Sequence, residues 1–240
     1  MTEFTKRKFL RAGWPNKQIT ATLPGLSATK NSGQTVSSNV NLIDLPHGQP
    51  YVLFLGNPLP VRGTEVLLAA AQKVFARSES AIIVCLLRPD PGSEIKTARE
   101  RLLHRVKELG IEKQLICITK KAEPEEIFQS IKNSRAVVMP FLIIPSEIPL
   151  GVLESMQLGT PVITTKSGGT SEFVGDGGWI IAPGDKDALS TAILSALNDD
   201  EMQRSKAAIC SKKMTDHPTW EDVGDSWLKL GLKVLEKFEN

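Results

Sequence analysis

From residue 50 onward the sequence alternates short apolar, β-branched runs with longer amphipathic stretches, and nothing else in it limits the fold as much. The apolar runs are Tyr51–Leu55, Ala81–Leu87, Gln114–Ile118, Ala136–Phe141, Pro161–Thr165 and Trp179–Ala182. Helical stretches follow at Gly63–Arg77, Glu94–Leu109, Glu123–Asn133, Gly151–Leu158 and Asp185–Asn198, with a turn at Asp90-Pro91-Gly92 before the second. The runs are too short for helices, and several are apolar throughout, so they read as strands buried on both faces. Strands joined by helical crossovers of this length build a parallel sheet covered on both sides, a Rossmann-like α/β fold. Right-handed crossovers gather the strand C-terminal ends and their loops along one edge, where ligand chemistry is expected.

One unit on that edge carries the most chemistry, Pro145 to Glu172, with the sequence PSEIPLGVLESMQLGTPVITTKSGGTSE. Its helix begins at a glycine-containing turn and stops at Gly159. A short strand follows, and Gly168-Gly169 is expected to close the unit as a second tight turn. A glycine turn after a strand brings backbone N–H groups and a helix N-terminus up to a phosphate. Glu154, one turn into the helix, is placed to accept hydrogen bonds from vicinal hydroxyls. The same spacing also fits an ordinary strand–helix–strand unit with a solvated glutamate.

The unit resembles the signature of the family-4 retaining glycosyltransferases, enzymes of the GT-B fold with two facing Rossmann-like domains. That signature has a glutamate, seven intervening residues, a second glutamate, then Ala-Met-x-x-Gly-x-Pro-Val-Ile and Gly-Gly-x-x-Glu. Here Glu154, Met156, Gly159, Pro161-Val162-Ile163, Gly168-Gly169 and Glu172 match it. The first glutamate position holds Ser146, and the neighbouring Glu147 is one residue out of register. Gly56-Asn57-Pro58-Leu59-Pro60-Val61-Arg62-Gly63 is similar to the family's Gly-Arg-x-x-x-x-Lys-Gly loop, whose two basic residues hold the donor diphosphate. Arg62 keeps the charge of the lysine and grips phosphate bidentately, whereas Asn57 loses the charge of the arginine. In the loop Thr119 to Glu123, Lys120 stands where the family usually has a glycine that reads the base through backbone groups, with Lys121 beside it.

The resemblance implies half of a GT-B fold and a nucleoside-diphosphate-sugar donor, such as a UDP- or GDP-sugar, with no metal or other cofactor. It places Gly56, Asn57, Arg62, Gly63, Lys121, Ser146, Leu150, Gly151, Val152 and Glu154 around that donor. The catalytic residue stays open, with Ser146 at the family position and Glu147 as its neighbour. Two readings follow: the donor-binding half of a retaining glycosyltransferase, or a non-catalytic nucleotide-binding or interaction subunit. The absent first glutamate and Asn57 favour the second reading. The match from Glu154 to Glu172, together with Arg62, favours the first.

The ends fit the same picture. Residues 49–240 are read as the Rossmann-like domain, and residues 1–48 as a remnant and linker. Phe4 to Gly13 is a basic helix broken at Trp14-Pro15, and Gln18 to Leu23 is strand-like. Ser27 to Asn41 is a polar stretch without periodicity. Ala12-Gly13-Trp14-Pro15-Asn16-Lys17-Gln18-Ile19 resembles the end of the family's first domain; whether that domain is on another chain, truncated or absent stays open, and the partners implied are a first-domain chain or, through self-association, a second copy. At the C-terminus Thr219 is a candidate N-cap. Val223, Trp227, Leu230, Val234, Leu235 and Phe238 form a helical stripe, read by itself as core packing.

Composition narrows the rest. A formal net charge of +2, with no clustered basic stripe, gives no case for nucleic acid. Cys85, Cys117 and Cys210 lack metal-type spacing and read as reduced thiols. With no signal peptide and no 18-residue apolar run, a cytoplasmic protein is expected; a peripheral membrane enzyme fits the same sequence.

Overall fold

The computed structural model describes residues 2–27, 48–87, 92–144 and 146–236. The polar stretch from residue 28, the turn residues Asp90 and Pro91, Pro145 and Phe238 lie outside them. Six strands run parallel: β1 (Tyr51–Leu55), β2 (Ile82–Leu86), β3 (Leu115–Ile118), β4 (Ala136–Met139), β5 (Val162–Thr165) and β6 (Gly178–Ile181). Their order across the sheet is β3-β2-β1-β4-β5-β6. The chain therefore builds outward from β1 in one direction, returns, and builds outward in the other. The strand ends splay at the reversal between β1 and β4, and open sheets bind ligands there.

Alternation within the strands feeds a core on each face of the sheet. Val52 and Phe54 point into one core, with Ile83, Cys85, Ala136, Val138 and Ile163. That face is covered by α2 (Thr64–Arg77), α3 (Ser93–Glu108) and α7 (Lys186–Asn198). Tyr51 and Leu53 point the other way, with Val84, Ile131, Val137 and Val162. There α4 (Pro124–Asn133), α5 (Leu150–Gln157), α6 (Gly168–Val174) and α8 (Asp200–Met214) cover the sheet. Tyr51 Oη donates to the carbonyl of Ser130 at 2.7 Å, which lets a buried phenol stay in the core, and burial pushes its pKa far up.

Three expectations need correction. Gly168-Gly169 is not a closing turn but the first turn of α6. A Cβ at Gly169 would lie 2.8 Å from Thr2 Oγ1, so glycine there admits the N-terminal helix α1 (Glu3–Arg11). Gln18 to Leu23 forms no strand: Asn16–Gln18 is a 3₁₀ turn, and among the described residues the segment has no neighbouring strand. Instead the N-terminal segment is tied to the C-terminal one. Leu26 N donates to the Pro218 carbonyl at 3.1 Å, Trp220 N to the Leu26 carbonyl at 3.2 Å, and the His217 ring to the Pro24 carbonyl at 2.9 Å. The third correction concerns the last helix, α9 (Trp220–Leu235), whose stripe is not core. It buries no residue, and Trp227 is 64% exposed. Its capping box is intact, with Thr219 Oγ1 accepting from Asp222 N at 3.1 Å, so local signals start the helix without a core to receive it.

The closest approach near the switch point is between Gly63 and Pro140. Gly63 has φ +79°, and a Cβ there would lie 1.9 Å from the Pro140 carbonyl oxygen. Leu142 N and Ile143 N both donate to the Val61 carbonyl, at 2.9 and 3.2 Å, which stitches the loop after β1 to the one after β4. Gly63→Ala is therefore expected to lower stability by at least about 2 kcal/mol in urea unfolding, since left-handed strain and backbone collision add. A change within about 0.5 kcal/mol would mean that the two loops are not held at this distance.

Candidate functional site

A cleft of about 780 Å³ opens at the C-terminal ends of β1, β2 and β4, beside the switch point. Its floor is Leu55, Leu86, Leu87 and Met139. One wall is the loop after β3 with the start of α4, from Lys120 to Phe128, and the other is Ser146 with the start of α5. Gly56 and Arg62, from the loop after β1, complete it.

Arg62 is placed by the 3₁₀ turn Pro60–Arg62, which the left-handed Gly63 terminates. Its guanidinium lies 5.3 Å from the centre of the Phe141 ring, and among the described residues no carboxylate pairs with it. Partial burial lowers its pKa, although a guanidinium stays charged at any working pH. A half-buried cation held over an aromatic face, with its donors turned to a cleft, suits an incoming anion.

On the opposite wall α5 begins at Leu150 after Pro149. Val152 and Leu153 donate to the Pro149 carbonyl, at 2.9 and 3.4 Å, so those two amides close the first turn. Leu150 and Gly151 line the cleft, while the Val152 side chain is fully buried. Glu154 sits one turn in, half-buried and lining the cleft. Next to it, Ser155 and Met156 point into the protein; Ser155 Oγ donates to the Gly151 carbonyl at 2.5 Å. The apolar neighbours of Glu154 thus set its outward direction. On the third wall, Lys121 Nζ lies 3.3 Å from a Glu123 carboxylate oxygen. Glu123 also caps α4, its N–H donating to Glu126 at 2.8 Å.

The structure therefore brings Gly56, Arg62, Lys121, Ser146, Leu150, Gly151 and Glu154 around one space. It leaves others outside that lining. Gly63 packs on Pro140 and Val152 is core. Asn57 is turned inward, and its Oδ1 is buried with no hydrogen-bond partner among the described residues. Glu147 faces away, its carboxylate accepting from Thr2 N at 2.5 Å. Sequence reasoning missed the apolar contribution of Leu87, Ile127 and Phe128. Phe128, on α4, is 43% exposed, and only that exposure marks it. Among the described residues no group of His, Cys, Asp and Glu could hold a metal ion, and no helix is long and apolar enough to cross a membrane.

Residues 39–212 match the model of the family described as glycosyl transferases group 1. The chain belongs to that family. It is 26% identical over 218 residues to the D-inositol 3-phosphate glycosyltransferase of Corynebacterium urealyticum, a match covering 89% of this chain and 50% of the relative. Among solved structures it is similar to a glycosyltransferase from Rickettsia africae, with a TM-score of 0.80 and 14% identity, covering 98% of this chain and 62% of the other. Anabaena HepE, solved in complex with UDP and glucose, aligns with a TM-score of 0.69 and 16% identity, over all of this chain and 61% of the other. These structures share the GT-B type of fold. The chain spans about half the length of the curated relatives it matches.

Arg62→Ala is expected to weaken a diphosphate ligand such as UDP by about tenfold or more, the worth of a charge-assisted hydrogen bond, and to leave uridine little changed. Calorimetry at two salt concentrations checks it, since the affinity for UDP should also fall with ionic strength. Equal losses for UDP and uridine would make Arg62 a structural residue.

Proposed function

We propose that this group 1 glycosyltransferase chain is the donor-binding, C-terminal half of a retaining enzyme of the family-4 type. It would bind a nucleoside-diphosphate sugar such as a UDP- or GDP-sugar and need no metal or other cofactor. The observation that carries this is the opposition of Arg62 and Glu154 across one cleft at the sheet's switch point. A nucleoside diphosphate needs a cation for its phosphates and an acceptor for its ribose hydroxyls, and these walls supply one of each. Arg62 and the helix start at Leu150 and Gly151 face the position where negative charge grows as the sugar leaves. Preorganised positive charge and N–H dipoles there are the expected source of rate.

An acceptor needs a second wall. In this reading a first GT-B domain supplies it, either in a longer form of the same protein or on a partner chain. Support comes from the face formed by the N-terminal segment and α9. A groove of about 1260 Å³ there is lined by Phe9, Trp14, Ile19, Trp227, Leu230 and Val234, apolar side chains rimmed by polar ones in the manner of a partner surface.

The non-catalytic reading keeps two observations of its own: Asn57 brings no charge to the cleft, and Glu147 is turned away from it. One experiment separates the two. The chain is titrated with UDP and GDP, then assayed for donor hydrolysis and transfer alone and together with a first-domain protein. Binding by the chain and transfer only in the mixture is the expected result. Binding with no transfer in any combination would favour the subunit reading, and no nucleotide binding at all would leave only an interaction subunit. Glu154→Gln should weaken UDP by about tenfold or more, since it takes a charged acceptor from the ribose, with the melting temperature held within a few degrees. Unchanged affinity would take Glu154 out of the site.

A further inference from the structure

Two carboxylates of the Pro145–Glu172 stretch have no part in the cleft, and both are directed at the N-terminal helix. Glu147 lies between Ser146 and Pro149, which line the cleft. Its own carboxylate accepts from Thr2 N at 2.5 Å on the far side, and its carbonyl accepts from Thr170 Oγ1 at 2.7 Å. Ile148, the next residue, is buried. Thr2 caps α1, is itself buried, and rests in the space left by Gly169. Further along the same helix, Arg7 Nη2 donates to both oxygens of Glu172, at 2.6 and 2.5 Å. The loop that leads into α5 is thus pinned from behind by α1 and α6, while its front edge forms a wall of the cleft.

We propose that α1 is a strut of the donor cleft, with Arg7, Glu172 and Glu147 as positioning residues that fix Ser146 and the start of α5. The proposal rests on the donor-cleft reading above and adds the N-terminal helix to it. A short loop with one face in solvent has few contacts of its own to set its position. The loop's tie to α1 through Glu147 and Thr2, and to α6 through Thr170, sets where its front residues stand, and the Arg7–Glu172 pair holds α1 against α6. The Arg7–Glu172 pair is half-exposed, so its effect is modest, salt-sensitive and local.

The test uses the full chain with Arg7→Ala, Arg7→Lys, Glu172→Gln and the double variant Arg7→Ala/Glu172→Gln. Two quantities are read: the Kd for UDP, and hydrogen exchange at the amides of 146–151. Each single removal should raise the Kd about two- to fivefold, the worth of an exposed ion pair. The double variant should be no worse than either single one, because both cut the same tie. Arg7→Lys should recover part of the loss. Exchange should quicken at Ser146, Glu147, Ile148, Leu150 and Gly151, but not in β1 or β4. Unchanged Kd and exchange would overturn the strut, as would faster exchange confined to α1 or spread evenly through the sheet. Exchange needs no nucleotide, so a parent chain that fails to bind UDP but responds in the loop would overturn the donor reading and leave the strut standing.

Discussion

The cleft exists because β1 lies between β2 and β4. Val52, Leu53 and Phe54 are all buried, alternately in the core of one face and the other, so the strand cannot shift by one residue without exchanging its cores. Register on both sides follows: Phe54 sits opposite Cys85 of β2 and Val138 of β4. Because the chain leaves β1 in one direction and returns to its other side for β4, the loops after the two strands diverge and then meet again around Gly63 and Pro140. Arg62 is delivered at that meeting point. Its charge faces the start of α5, whose own direction is set by Val152, Leu153 and Met156 buried beneath it.

The electrostatics of the cleft are asymmetric. Arg62 is held over Phe141 and partly desolvated, which makes it available to an anion. Lys121 is already engaged by Glu123 and is the weaker offer. Asn57 contributes a neutral side chain turned inward, so positive charge is concentrated at one point of the loop after β1 rather than spread over two. An arginine fork suits that role better than a lysine, since it can meet two phosphate oxygens at once.

At the other end, the molecule shows a face that its own core does not use. Trp14, Trp227 and Leu235 are each more than half exposed, although α1 and α9 are well capped and regularly formed. Local capping and helix periodicity are enough to form such helices in contact with the rest of the chain, but they do not bury an apolar side. This chain covers only about half of its curated relatives, and the apolar face lies on the side where its N-terminal and C-terminal segments join.

The sequence by itself determined the strands, their parallel arrangement and most helix boundaries, because strands buried on both faces must be apolar throughout and their crossovers amphipathic. It also pointed to Glu154, one turn into a helix that begins at a glycine-containing turn, whereas Arg62 was picked out by the likeness of the Gly56–Gly63 loop to the family's loop. It did not show α8, whose only buried residues are Cys210 and Met214, too few to write a stripe. Nor did it show that Gly168-Gly169 opens a helix, or that Glu147 and Glu172 turn to α1. Those outcomes depend on which distant surface is nearest: Thr2 is 145 residues from Glu147 in sequence, and Arg7 is 165 from Glu172. The C-terminal stripe shows the same limit from the other side. Periodicity fixes which residues share a face of α9, and only the tertiary structure decides whether anything lies against it.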